Sequence, residues 1–132
     1  MKKILVTQRI DYIKLRSEYR DAIDQRLLTF LFNCGYLAFS IPNFSNDCTN
    51  KNFLIDNWLK SFSFDGILLS GGNDINEFLI RDNIEKLLIS YSIKNNVPLF
   101  GICRGMQMIA LYLGSKLKKV EGHVRTRHKL KG

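Results

Sequence analysis

Cys103 lies in the segment whose residue types and spacing are best suited to a chemical reaction. The run 97–102 is apolar and of strand length, and from Arg104 onward apolar residues recur at helical spacing. Gly101 and Gly105 flank Cys103 at i−2 and i+2. This is the spacing of a nucleophile elbow, a tight strand-to-helix turn with no room for β-carbons at the flanking positions. Such a turn presents the thiol at a helix start, where the reactive thiolate is favoured.

The second glycine-rich segment lies at Gly71 and Gly72, after the apolar strand 67–69. Attack of a thiolate on an amide carbonyl builds negative charge on oxygen, which two backbone N–H groups must stabilise. Arg104 can supply one N–H, and Gly72 can supply the other because glycine allows close approach of the backbone. A tight turn that needs glycine only for its backbone conformation explains the same pair.

The elements that must position these residues alternate along the chain. Strands are predicted at 3–8, 36–41, 67–69 and 97–102, and helices at 18–33, 53–59, 84–94 and from 104. This order predicts a flavodoxin-like α/β fold, a parallel sheet with helices on both faces in three layers. Ligands of such sheets bind beyond the carboxyl ends of the strands. The connections 9–17, 42–52 and 70–76 are therefore expected to meet near Cys103.

Composition limits the remaining classes of function. A chain of 132 residues, 45% hydrophobic and 24% charged, fits one globular domain over 1–132. The segment 116–132 supplies +6 of the net charge of +8, and no nucleic-acid-binding motif accompanies it. We therefore expect neither nucleic acid nor a membrane as a partner.

Cysteine and histidine usage predicts the compartment and the absence of a metal site. Cys34 and Cys48 have no partner at metal-ligand spacing, and three cysteines form no framework of pairs. No signal peptide or membrane-spanning run is recognisable, so a cytoplasmic location is expected. His123 and His128 are five residues apart without the further ligands that zinc needs. No metal or organic cofactor is predicted.

Four motifs in order carry a resemblance to a known family. They are GILLSGGND at 66–74, Arg81-Asp82 with Glu85, PLFGICRGMQ at 98–107, and LGSKL at 113–117. They resemble the class I glutamine amidotransferase superfamily, and most closely its γ-glutamyl hydrolase-like branch, from residue 3 to about 128.

The resemblance implies a reaction and roles for the residues that match. Cys103 would attack the γ-carbonyl of glutamine or of another γ-glutamyl amide. Ammonia or an amine would leave, and a glutamyl thioester would remain. Gly72 and Arg104 would form the oxyanion hole, while Gln107 and Gly71 would help to bind the glutamyl group. A synthetase partner that accepts the ammonia is a further implication.

The segments 19–25 and 122–128 look like those of members found with bacterial surface-sugar and capsule polysaccharide biosynthesis. Some of these members cleave a γ-glutamyl group from a nucleotide-linked phosphoramidate. Basic side chains suit the phosphate of such a substrate, although a solvated charged terminus explains them equally well. The candidate substrate-binding residues here are His123, Arg125, Arg127 and His128.

The chain departs from the family downstream of the elbow. The family's catalytic His and Glu, two residues apart, follow further strands, whereas this chain stops 29 residues after Cys103. No acidic residue follows His123 or His128, so the role is not transferred to them. We expect a domain that lacks its C-terminal strands, with apolar surface uncovered around the elbow strand and marginal stability. The alternatives are an inactive remnant that binds a ligand or partner, and a redox-sensing thiol.

Overall fold

A computed structural model describes residues 1–45, 48–123, 126–127 and 129. The strands are β1 (Lys2–Val6), β2 (Arg9–Ile13), β3 (Glu18–Ala22), β4 (Tyr36–Ser40), β5 (Gly66–Leu69) and β6 (Leu99–Gly101). The helices are α1 (Gln25–Asn33), α2 (Lys51–Lys60), α3 (Leu79–Asn95) and α4 (Arg104–Tyr112), with a 3₁₀ turn at Lys14–Arg16.

Four of the strands form one parallel sheet in the order β4–β1–β5–β6. Leu5 of β1 lies between Phe39 of β4 and Ile67 of β5, and Leu69 pairs with Gly101 of β6. The strand order reverses at β1, and the carboxyl ends of all four strands share one edge. The predicted α/β fold is confirmed.

Successive residues of the central strands point to opposite faces of the sheet, so each face has its own core. Leu5 and Leu69 pack on the face that α2, α3 and α4 cover. Val6 and Leu68 pack on the other face, against Leu31 of α1. Strand β5 is buried along its whole length, as expected for a strand covered on both sides. The structure therefore has the three predicted layers.

The helix predicted over 18–33 is wrong over its first seven residues. Residues Glu18–Ala22 form β3, which pairs antiparallel with β2 in a hairpin, so the predicted loop 9–17 is mostly strand and turn. Cross-strand stacking contributes to this pairing, because the Tyr12 and Tyr19 rings lie 4.7 Å apart. Helix α1 begins only after Asp24, whose carboxylate caps it by accepting the Arg26 N–H at 2.8 Å.

Helix α3 begins at Leu79, five residues before the predicted start. Its first turns bury Arg81, Asp82 and Glu85, and an apolar pattern cannot detect buried charged residues. The other elements differ from prediction by at most two residues at their ends. No described helix is both long and apolar enough to cross a membrane.

Strand β6 lies at the edge of the sheet and, among the described residues, pairs only with β5. Phe100 points to the α1 face and is 66% exposed. Beside it lies an apolar groove of about 520 Å³, lined by residues that include Ile4, Leu31, Leu68 and Ile102. Apolar surface is thus open next to the elbow strand, and whether further chain covers it stays a prediction.

Candidate active site

The turn from β6 into α4 places Cys103 in the geometry that its flanking glycines predict. Ile102 continues the sheet by donating its N–H to the Leu69 carbonyl at 2.9 Å. Cys103 then adopts φ 52° and ψ −107°, a conformation that non-glycine residues rarely adopt. The chain enters α4 directly, and the thiol-bearing residue is exposed.

Both flanking glycines are required by the close approach of backbone. A β-carbon at Gly101 would lie 2.5 Å from the carbonyl carbon of Gly105. A β-carbon at Gly105 would lie 2.1 Å from the Leu69 carbonyl oxygen. Any side chain at either position would therefore force β5, β6 and α4 apart. The strand-to-helix geometry is present, while the chemical role of the thiol stays a prediction.

The glycine loop after β5 meets the elbow, as the order of elements predicts. A β-carbon at Gly71 would lie 3.6 Å from the Cys103 β-carbon, so the two loops are in contact range. Gly72 has φ +80° and Asn73 has φ 61°, both in the left-handed region. Gly72 is therefore needed for the backbone conformation of a loop that also lies close to Cys103.

Arg81 holds the carbonyl groups of this loop from the side of α3. Its Nη2 donates to the carbonyl oxygens of Ser70 and Gly71, both at 2.9 Å. Its Nη1 donates to the Gly72 carbonyl and, at 3.0 Å, to Oδ1 of Asn73. One guanidinium therefore binds three consecutive peptide carbonyls.

This contact also settles the direction of the loop's N–H groups. In a trans peptide the N–H points opposite to the C=O of the same unit, and the described chain has no cis peptide. The N–H groups of Gly71, Gly72 and Asn73 consequently turn away from Arg81. None of the three donates to an acceptor among the described residues. Such a row of free donors is suited to binding negative charge.

A buried cluster of four charged side chains connects the glycine loop with the elbow. Glu85 accepts from Arg81 Nε at 3.2 Å with one carboxylate oxygen and from Arg104 Nη1 with the other. Asp82 accepts from Arg104 Nη2, and the Thr7 hydroxyl donates to Glu85 at 2.9 Å. Arg81, Asp82, Glu85 and Arg104 are each at most 2% exposed. We call these four residues the buried ion cluster.

The charges of the buried ion cluster balance, which is the usual condition for burying ions. Burial lowers the pKa of the Arg81 guanidinium from its ordinary value, while the charge of Glu85 acts in the opposite direction. The nearby charge of Arg104 also lowers this pKa. The carboxylate and carbonyl partners of Arg81 take the place of the solvent that burial removes.

The hairpin of β2 and β3 borders the same loop from the opposite side. Asn73 accepts the Ile10 N–H at 2.8 Å and donates to the Ile10 carbonyl at 2.9 Å. A β-carbon at Gly72 would lie 2.9 Å from Cδ of Arg9. The segment 9–17 thus reaches the predicted place in a conformation that the sequence did not predict.

The other predicted site residues lie after Cys103. Gln107 is exposed one helical turn later, and its N–H donates to the Cys103 carbonyl at 3.2 Å. His123 and Arg127 are exposed in the irregular segment that follows α4. Arg125 and His128 lie outside the described residues. The binding roles of these five residues stay predictions.

Sequence reasoning missed Thr7 and gave no role to Arg81, Asp82 and Glu85. It assigned Arg104 only a backbone role, whereas the Arg104 side chain is buried in the ion cluster. Two signals were available: the i,i+4 spacing of Arg81 and Glu85, and their place in a family motif. In the described part of the chain, no three His, Cys, Asp or Glu side chains are grouped to hold a metal ion.

Comparison with known families decides the assignment. The model of the family "Glutamine amidotransferase class-I" matches residues 18–132, most of the chain. The chain belongs to this family. The matched region includes the glycine loop, the buried ion cluster and the elbow, while β1 and β2 precede it.

The chain is similar to parts of three relatives. The gamma-glutamyl-CDP-amidate hydrolase of Campylobacter jejuni is 41% identical over 64 residues, covering 44% of this chain and 32% of the relative. The CTP synthase of Buchnera aphidicola is 38% identical over 99 residues, covering 74% of this chain and 16% of the relative. The CTP synthase of Rickettsia peacockii is 27% identical over 124 residues, covering 92% and 21%. The chain therefore matches a third or less of each relative's length.

Proposed function

We propose that the chain carries the nucleophile and oxyanion hole of a cysteine-dependent γ-glutamyl amide hydrolase of the glutaminase type. The observation that carries this proposal is the exposed Cys103 at positive φ, in contact range of the Gly71-Gly72 loop. The family membership supports the same chemistry. Neither a redox sensor nor a packing cysteine needs a row of unpaired N–H groups beside the thiol.

The proposed reaction has two steps. The Cys103 thiolate attacks the γ-carbonyl carbon, and the N–H groups of Gly72 and Arg104 stabilise the oxyanion that forms. The carbon–nitrogen bond then breaks, and the nitrogen leaves with a proton as ammonia or an amine. Water then attacks the thioester carbonyl: the carbon–sulfur bond breaks, the water oxygen stays on glutamate, and a proton from the water restores the thiol. The resemblance to the family assigns the proton transfers to a His and Glu pair.

We extend the proposal to a substrate whose γ-glutamyl nitrogen is attached to a nucleotide phosphate. The Campylobacter relative's name and the exposed basic residue Arg127 support this choice, since arginine suits phosphate oxygens. Bacterial surface-polysaccharide biosynthesis is the corresponding setting. The matches to CTP synthases support transfer of ammonia to a synthetase partner as a second use of the same site. The free cysteines Cys34, Cys48 and Cys103 fit a reducing cytoplasm.

The test is release of glutamate from L-glutamine and from a γ-glutamyl nucleotide amidate, measured by mass spectrometry on the chain supplied with the family's downstream His and Glu segment. Wild type and Cys34→Ala should release glutamate equally, and Cys103→Ala should release none. Equal release by Cys103→Ala would reject Cys103 as the nucleophile. Glutamyl-ligand binding without turnover in the wild type would instead reject hydrolysis and favour the inactive binding remnant.

A further inference from the structure

We propose that Arg81 and Glu85 are positioning residues that set the direction and spacing of the two oxyanion donors. The inference rests on the proposed function, because it concerns the same site. Arg81 would orient the Gly72 N–H, and Glu85 would hold Arg81 and Arg104 on its two carboxylate oxygens. A single buried carboxylate would then join the two halves of the oxyanion hole.

The peptide between Gly71 and Gly72 carries one of the two proposed oxyanion donors, the Gly72 N–H. Its carbonyl accepts from Arg81 Nη2 at 2.9 Å, and its N–H therefore points away from α3. Glycine on both sides gives this peptide few steric barriers to rotation. A flipped peptide would lose a charge-assisted hydrogen bond and point its N–H at a cation. Arg81 thus favours the orientation that leaves the Gly72 N–H free.

The neighbouring peptides of the loop are oriented by the same guanidinium. Arg81 also donates to the Ser70 carbonyl from Nη2 and to the Gly72 carbonyl from Nη1. Asn73 is held between Arg81 and Ile10. The loop is consequently fixed from both sides, which a lysine at position 81 could not reproduce.

Arg104 links the buried ion cluster to the elbow. Arg104 begins α4, so its N–H is one of the first helical donors, which have no acceptor within the helix. Its side chain runs the other way, to Glu85 and Asp82 in the interior. Since Glu85 also binds Arg81, a displacement of either arginine is transmitted to the other loop. The buried ion cluster thereby controls the distance between the N–H groups of Gly72 and Arg104.

The experiment compares two alkylating reagents on Cys103. A glutamine analogue with a chloromethyl ketone in place of the carboxamide needs the glutamyl subsite and polarisation of its carbonyl by the oxyanion hole. Chloroacetamide reports the intrinsic reactivity of the thiol. In both reactions a carbon–sulfur bond replaces a carbon–chlorine bond, and chloride leaves. Peptide mass spectrometry gives the rate at Cys103 separately from Cys34 and Cys48, and the readout is the ratio of ketone to chloroacetamide rates.

Arg81→Lys should lower this ratio at least about tenfold, since loss of one oxyanion donor costs a hundredfold or more in catalysis. Lys86→Gln is the matched control, because Lys86 is exposed on the same helix, and it should leave the ratio unchanged. Asn73→Gly keeps the positive φ, removes one Arg81 partner at a less buried position, and should lower the ratio severalfold. It serves as the test if Arg81→Lys does not fold.

An unchanged ratio in Arg81→Lys, or in Asn73→Gly where it is the test, would overturn the inference. An equal fall in both rates would also overturn it, because a merely structural role predicts a general effect on the thiol. Failure of the proposed function would be seen in the wild type instead. There, the ketone would label Cys103 no faster than it labels the exposed Cys34.

Discussion

Ion pairs of the same residue types occur in two regions of this domain, the buried ion cluster and the exposed β2–β3 hairpin. On the hairpin, Arg9 pairs with Asp11 at 3.0 Å and Arg20 pairs with Glu18 at 2.5 Å. Those side chains are between 38% and 52% exposed, whereas the side chains of the buried ion cluster are at most 3% exposed. The two regions differ in solvent access and in what else the arginines bind.

On the hairpin each pair joins two residues that lie close in sequence, and water competes for every donor. In the buried ion cluster Arg81 also binds backbone carbonyls, and Glu85 joins Arg81 of α3 to Arg104 of α4. Buried pairs cost desolvation, so their removal leaves uncompensated charge, while exposed pairs contribute little and are screened by salt. The comparison indicates that position in the fold, more than the residue types, decides what an ion pair contributes.

Removing Glu85 should have the largest effect on stability. Glu85→Ala leaves two buried arginines without a shared carboxylate and should lower the free energy of unfolding by about 3–5 kcal/mol. Glu85→Gln keeps the volume and one acceptor, so it should lose less. Urea unfolding followed by circular dichroism measures both. A loss below about 1 kcal/mol for Glu85→Ala would place the cluster in the same class as the hairpin pairs.

Asp82→Asn should have an intermediate effect. Asp82 accepts from Arg104 and, through its other oxygen, from the Asn76 N–H at 2.9 Å. Asparagine retains one acceptor, and Arg104 retains Glu85, so a loss of about 1–3 kcal/mol is expected. The same urea titration measures it, and Asn83→Ala, at the exposed neighbouring position of α3, is the control. A loss as large as that of Glu85→Ala would contradict the central place given to Glu85.

Glu18→Gln should have the smallest effect. The hydrogen bond from Arg20 holds the pKa of Glu18 below its ordinary value. A lowered carboxyl pKa contributes stability above the ordinary value, which is lost as the pH falls through the lowered one. The melting temperatures of wild type and Glu18→Gln should therefore differ slightly at neutral pH, and the difference should vanish in acid. About 1 M salt should reduce it, because exposed ion pairs are weakened by screening at high salt. A difference that persists in acid, or that salt does not reduce, would contradict this explanation.

Features that depend on local sequence patterns could be predicted, whereas those that depend on tertiary contacts could not. The elbow, the glycine loop and the parallel sheet depend on glycine spacing and apolar periodicity, which are local patterns. The hairpin was missed because residues 18–22 carry no apolar alternation that separates them from the helix after Asp24. The buried ion cluster was missed because charged residues are ordinarily exposed, and only tertiary structure brings Arg104 to Glu85. Spacing likewise says nothing of where His123 and Arg127 lie relative to Cys103.

The most direct test of the central claim is a crystal structure of Cys103 alkylated by the glutamyl chloromethyl ketone. In this complex the ketone oxygen should accept hydrogen bonds from the backbone N–H groups of Gly72 and Arg104, at about 2.7–3.1 Å. The Gly71 carbonyl should still accept from Arg81 in that complex. A ketone oxygen that faces solvent or a side chain, with neither N–H within reach, would contradict the account.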